Sequence, residues 1–184
     1  MENFIKVYDD VLDPQICKEI IEKFEVNTDQ QEDTILKGHR SFKEIQLNKH
    51  KDWKPIVDGL YTTFKSKIGA YAKEVGITPT QWPQNYGFEA IRMKRYMPND
   101  IDEFKEHVDV GDYNSARRFL VFFLYLDENK EGATSFSNFD VAIKPKVGRL
   151  LMFPPMWTYL HTGHKPCLLY TSDAADEWCC GVVG

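Results

Sequence analysis

The chain has 184 residues, 42% hydrophobic and 28% charged, which fits one globular domain with a core of its own. A net charge of −5 excludes a sequence-independent nucleic-acid surface, which needs a basic stripe. The longest apolar run, Phe119 to Leu126, is far too short to cross a bilayer, and the opening Met1-Glu2-Asn3-Phe4 has neither a basic nor an apolar leader region. The expectation is a cytoplasmic protein with no membrane or nucleic-acid partner. An aromatic content of 14%, with 12 Phe and 9 Tyr, suits a β-rich core. Cys17 stands alone, and Cys167, Cys179 and Cys180 fall near the end, in the pattern of neither a disulfide framework nor a zinc knuckle.

In chain order, Phe4 to Val11 is a short strand candidate. Asp13-Pro14 then reads as a helix start, with Asp as N-cap and Pro at the first helical position. Ile16, Ile20, Ile21 and Phe24 form its apolar stripe, and Glu19 and Lys23 are spaced as an outer ion pair. Asn27 to His50 is polar, with a strand beginning near His39-Arg40-Ser41-Phe42 and running to Leu47. His39 and His50 are placed in solvated loops. Pro55 opens a second helix to about Val75, stopped by Gly76. Its stripe is Ile56, Leu60, Phe64, Ile68, Tyr71 and Val75.

From residue 88 short strands alternate with turn signals, the pattern of a sandwich or barrel. Phe88 to Tyr96 carries Arg92, Lys94 and Tyr96 on its polar face. Arg117 to Leu126 is apolar on both faces and reads as a central strand. Asp127 to Gly132 reads as a hairpin-type turn. Thr134 to Phe136, Val141 to Ile143 and Arg149 to Phe153 are strands, with Pro145-Lys146-Val147-Gly148 a turn. Another strand starts at Tyr159-Leu160-His161. The expected fold is mainly β with N-terminal helices and a jelly-roll core: one domain over 1–166, with helical support over 1–87 and the barrel over 88–166.

Within that barrel the chemistry centres on His107-Val108-Asp109. In extended chain, residues i and i+2 point the same way, so an imidazole and a carboxylate converge. His161 lies at the end of another apolar segment. Two His and one carboxylate with open positions are the facial donor set of non-haem Fe(II) oxygenases. They also describe catalytic zinc, although no His-Glu-x-x-His helix is present. A β-barrel binding module without catalysis, with His107 and Asp109 as ordinary polar residues, is the other alternative.

Six pieces in one order resemble the Fe(II)- and 2-oxoglutarate-dependent dioxygenases of the prolyl 4-hydroxylase type. They are Tyr96; His107-Val108-Asp109; Arg118 with Leu124-Tyr125-Leu126-Asp127; Gly132-Ala133-Thr134-Ser135-Phe136; Pro145 through Gly148 to Phe153; and Leu160-His161-Thr162-Gly163. The resemblance implies a double-stranded β-helix core, and a hydroxylase that turns 2-oxoglutarate into succinate and carbon dioxide. It implies Fe(II) on His107, Asp109 and His161, and a Tyr96 hydrogen bond to 2-oxoglutarate. It further implies dioxygen as co-substrate, ascorbate as reductant, and a peptidyl-prolyl or related small-molecule substrate. The family pattern puts the distal ligand before Thr162-Gly163, which selects His161 and leaves His164 at the rim. Trp157 and Tyr159 are either contacts for a prolyl ring or core and lid aromatics.

One departure stands out. The family carries a basic residue ten positions after the distal His to pair with the far carboxylate of 2-oxoglutarate, and here that position is Thr171. Cys167 to Glu177 does not read as the expected strand and resembles a translated sequencing adapter. Residues 167–184 are therefore expected to be a foreign or truncated tail. Loss of the charge partner would weaken cosubstrate binding, unless Arg92, Lys94, Arg149 or Lys165 replaces it.

Overall fold

The computed structural model describes residues 4–99, 101–165 and 169–173. Cys167, Cys179 and Cys180 lie outside the described residues, as does most of the 167–184 segment.

Two helices form where the sequence signals place them. Helix α1 spans Pro14–Val26, and the Asp13 carboxylate caps it by accepting from the Gln15 amide at 2.8 Å. Its buried residues are Cys17, Ile20 and Phe24. Of the expected stripe, Ile20 and Phe24 are buried and Ile21 is half-buried against the same core. Ile16 alone is 45% exposed, and Cys17 is buried in its place. Lys23 does not pair with Glu19 but reaches Asp52 at 2.8 Å. Helix α2 spans Lys54–Val75, and Gly76 ends it in the left-handed conformation at φ 73°, where a Cβ would be strained. It buries Val57, Leu60, Phe64, Ile68 and Tyr71.

The first half is not purely helical support. It contributes β1 (Lys6–Tyr8), β2 (Glu32–Leu36) and β3 (Arg40–Gln46), all hydrogen-bonded into the sheet. β2 escaped the sequence reading because Glu32–Leu36 has no buried residue, so no face shows an apolar alternation. The remaining strands are β4 (Arg92–Tyr96), β5 (Phe104–His107), β6 (Val121–Tyr125), β7 (Thr134–Phe136), β8 (Val141–Ile143), β9 (Arg149–Phe153), β10 (His161–Gly163) and β11 (Leu169–Asp173). Residues 88–91 lie outside the β4 ladder, and the Ile91 carbonyl instead accepts from the Leu47 amide.

The order β1-β9-β6-β11-β4-β3-β5-β10-β7-β8 resolves into two four-stranded layers. One holds β9, β6, β11 and β4; the other holds β5, β10, β7 and β8. β3 links them, pairing with β4 along Lys43–Gln46 and with β5 at Arg40. From β4 onward the chain crosses repeatedly from one layer to the other, and only the β7–β8 hairpin keeps two successive strands together. This is the double-stranded β-helix. Asp127 to Gly132 is consequently a crossover and not a hairpin turn, because β6 pairs with β9 and β11 while β7 pairs with β8 and β10. Turn residues mark a change of direction and carry no information about the next partner.

The expectation of no strand after Pro166 is corrected over Leu169–Asp173. β11 is antiparallel to β4 on one side and β6 on the other. The ladder is made by backbone groups, so an unfamiliar set of side chains does not prevent it.

β6 shows how the layers divide labour. Phe122 packs on Phe64 of α2 at 5.4 Å between ring centroids, whereas Val121 and Phe123 line the barrel interior. Phe24 of α1 meets Tyr170 of β11 edge-on at 6.2 Å. The helices thus cover the outer face of the β9/β6/β11/β4 layer and leave its inner face to the site. No helix among the described residues is long and apolar enough to cross a membrane.

Candidate metal centre

His107 is the last residue of β5 and His161 the first of β10. The two strands pair antiparallel with these residues in direct register. Direct cross-strand partners project to one face, which explains ring centroids only 4.2 Å apart despite the sequence separation. Asp109 follows His107 by two residues in the loop after β5, and its carboxylate turns in between the rings. His107 Nε2 stands 3.6 Å from Asp109 Oδ1, and His161 Nε2 stands 3.7 Å from Asp109 Oδ2. One ligand atom from each of the three lies within 4.8 Å of the others.

Both imidazoles are set to offer Nε2. His107 Nδ1 is 2.6 Å from the Lys105 carbonyl, and His161 Nδ1 is 2.9 Å from the Tyr159 carbonyl. A carbonyl only accepts, so each Nδ1 carries the proton and each Nε2 presents its lone pair toward Asp109. Such a second hydrogen bond fixes the tautomer and ring direction of metal-bound histidines. Two donors each about 2.1 Å from one ion are at most about 4.2 Å apart, and both His–Asp gaps satisfy this. The donor set of two neutral imidazoles and one carboxylate fits a divalent first-row metal and leaves coordination positions open.

Packing holds the donors in place. The Phe104 ring stacks on His107 at 3.5 Å and 7° between planes. Phe153 meets His161 edge-on at 5.0 Å, and Phe136 lies 5.7 Å away. Asp109 and His161 are 8% and 7% exposed. Arg118 donates from Nη1 to the Asp109 backbone carbonyl, tying the ligand loop to the approach to β6. The next turn closes on Ser115, whose Oγ accepts from the Gly111 and Asp112 amides at 3.1 and 3.0 Å. The Ser115 amide and hydroxyl in turn hold the Asp112 carboxyl below the usual range.

The donors open onto a pocket also lined by Lys94, Tyr96, Val121, Phe123 and Thr134. Tyr96 is buried on its wall, tilted against Phe42 at 5.2 Å. His164 is exposed at the rim, with its ring nitrogen 2.7 Å from Ser135 Oγ. Tyr159 is a core residue, whereas Trp157 is 76% exposed. His39 is less solvated than expected: half-buried, it sits edge-on to Phe104 at 5.6 Å and 6.2 Å from the His107 ring. Only the β2–β3 hairpin brings it there, and no local signal in the sequence reports that pairing.

No protein-family model matches the chain, and no curated protein matches it in sequence. Solved structures do. A viral collagen prolyl hydroxylase from Paramecium bursaria Chlorella virus-1, in its 2OG complex, superposes with a TM-score of 0.65 at 17% identity, over 92% of this chain and 93% of that one. A Trichoplax adhaerens prolyl hydroxylase, in complex with a peptide fragment of the hypoxia inducible factor oxygen degradation domain, gives 0.72 at 14% identity, over 95% and 84%. A Pseudomonas putida prolyl-4-hydroxylase gives 0.61 at 12%, over 92% and 89%. With its two interleaved four-stranded layers, its helices on one outer face and these neighbours, the chain has the double-stranded β-helix fold of the prolyl 4-hydroxylases.

Proposed function

We propose that this chain is an Fe(II)- and 2-oxoglutarate-dependent dioxygenase that hydroxylates a peptidyl-prolyl or related substrate, releasing succinate and carbon dioxide. The observation that carries the reading is the convergence of His107, Asp109 and His161, with both Nδ1 atoms tied back to carbonyls. Fe(II), when bound, supplies the dioxygen chemistry, with ascorbate as its reductant. The chain's own share is to hold and to shield. His107, Asp109 and His161 would hold the metal on one side and leave the pocket side for cosubstrate and dioxygen. Tyr96, buried on the pocket wall beside them, would hydrogen-bond the cosubstrate in this reading. Phe104, Val121, Phe123 and Phe153 give that wall an apolar surface, which keeps bulk water from the reacting atoms. The peptide bound by the Trichoplax neighbour and the 2OG bound by the viral one supply the substrate and cosubstrate classes in this reading.

The test is oxygen uptake and succinate formation on adding 2-oxoglutarate to Fe(II)-loaded protein, followed with wild type and Asp109→Ala. The expected result is uptake that depends on 2-oxoglutarate and falls at least about 100-fold in the variant, with metal affinity lost alongside it. Equal metal binding in both proteins, or no 2-oxoglutarate-dependent uptake by wild type, would overturn the proposal.

A further inference from the structure

The pocket carries one of the four cations that the sequence offers in place of a basic residue at position 171. Lys94, on β4, is 2% exposed and lines the same pocket as the three metal donors and Tyr96. It precedes Tyr96 by two residues, so the two side chains share a face, about 7 Å apart along the strand. In register, Lys94 stands directly opposite Thr171 of β11. That is the position at which the resemblance leads one to expect the basic residue. Thr171 is fully buried, and its hydroxyl has no hydrogen-bond partner among the described residues. Directly opposed residues in an antiparallel pair project to the same face, so a lysine on β4 can present its charge where one on β11 would have done.

We propose that Lys94 binds the metal-remote carboxylate of 2-oxoglutarate in this chain, in place of a basic residue at position 171. The inference rests on the 2-oxoglutarate reading above. Two further observations support it. The Lys94 ammonium lies 5.1 Å from the Phe42 ring and 5.8 Å from the Phe104 ring. Phe104 in turn stacks on His107, so a single ring separates the ammonium from a metal donor. The competing cations are placed elsewhere: Arg149 is held by Asp9 at 2.7 and 3.1 Å, Lys165 is exposed, and Arg92 is not among the pocket-lining residues. A buried ammonium on the same pocket wall as the metal donors puts positive charge inside the pocket, complementary to the second carboxylate of a small dicarboxylate.

The experiment is calorimetric titration of Mn(II)-loaded protein with 2-oxoglutarate and with 2-oxopentanoate, which keeps the chelating keto acid and has a methyl group for the far carboxylate. Wild type is expected to prefer 2-oxoglutarate by at least about tenfold. Lys94→Met should erase the preference while leaving Mn(II) affinity unchanged, and Lys94→Arg should keep most of it. Lys94→Gln serves in place of Lys94→Met if the latter loses metal binding. A preference that survives neutralisation of Lys94, or a wild type that binds both keto acids equally, would overturn the assignment and leave the keto-acid site standing. A wild type that binds neither acid would remove the 2-oxoglutarate reading, and this assignment with it.

Discussion

At the scale of single residues, the site depends on backbone groups as much as on the three donors. Each histidine is oriented by a carbonyl two residues earlier in its own chain segment, so the strand geometry itself sets the tautomer. Asp109 sits in the loop after β5. Its loop is held by Arg118, which donates to the Asp109 carbonyl and also stands 3.9 Å from Glu89. Arg118→Met is expected to leave the fold intact and weaken Mn(II) binding roughly tenfold, within the range typical for outer-sphere contacts. Calorimetric titration of Mn(II) into the variant checks this, and an unchanged affinity would show that the loop holds Asp109 without Arg118. The sequence pointed to Arg118 only as one piece of a resemblance, because a contact with a backbone carbonyl leaves no complementary residue to find.

At the scale of elements, a tight turn joins the N-terminal segment to the barrel. Gly148 follows Pro145-Lys146-Val147 with φ 70°, and a Cβ there would lie 2.3 Å from the Leu12 carbonyl oxygen. Its own carbonyl accepts from the Val11 amide at 2.8 Å, and its amide donates to the Tyr125 carbonyl at 3.0 Å. The turn was legible as a turn. The close approach of Leu12 was not, since it joins segments more than 130 residues apart in the chain. Gly148→Ala combines an unfavourable φ with a backbone collision, and a destabilisation of more than about 2 kcal/mol is expected from urea unfolding. A loss below about 0.5 kcal/mol would mean that the Leu12 segment moves aside freely.

At the scale of the whole molecule, the residues before α1 close the exposed side of the β9/β6/β11/β4 layer. β1 pairs with β9 from Lys6↔Met152 to Tyr8↔Leu150 and covers what would otherwise be an edge strand. Asp9 then clamps Arg149 through two hydrogen bonds, and Lys146 lies 3.3 Å from the same carboxylate. The Arg149 hydrogen bond, with help from Lys146, holds the Asp9 carboxyl below the usual range. A carboxylate whose folded pKa is depressed stabilises the fold fully above its unfolded value of about 3.9, and that contribution is lost as pH falls through the folded value. Asp9→Asn should therefore lower Tm near neutrality by an amount worth under about 1 kcal/mol, since the pair is partly exposed and screened. The difference from wild type should close below about pH 4. Thermal melts of both proteins from pH 2.5 to 7 read it, and a gap that persists at pH 2.5 would rule out the charge as its source.

The sequence by itself determined what short-range physics encodes. Asp13 and Gly76 bound the helices because capping is local, and Leu60, Phe64, Ile68 and Tyr71 follow a 3.6-residue period because one face of α2 is buried. His107 and Asp109 announced themselves because two residues of extended chain bring side chains to one side. Only the tertiary structure decided which distant strands meet. The register that sets His161 against His107, the crossover that replaces a hairpin at Asp127 to Gly132, the packing of β11 between β4 and β6, and the placing of Lys94 opposite Thr171 all arise from backbone ladders. A ladder is satisfied by N–H and C=O groups common to every residue but proline, so its partners are chosen by the closure of the whole barrel and not by any local run of side chains.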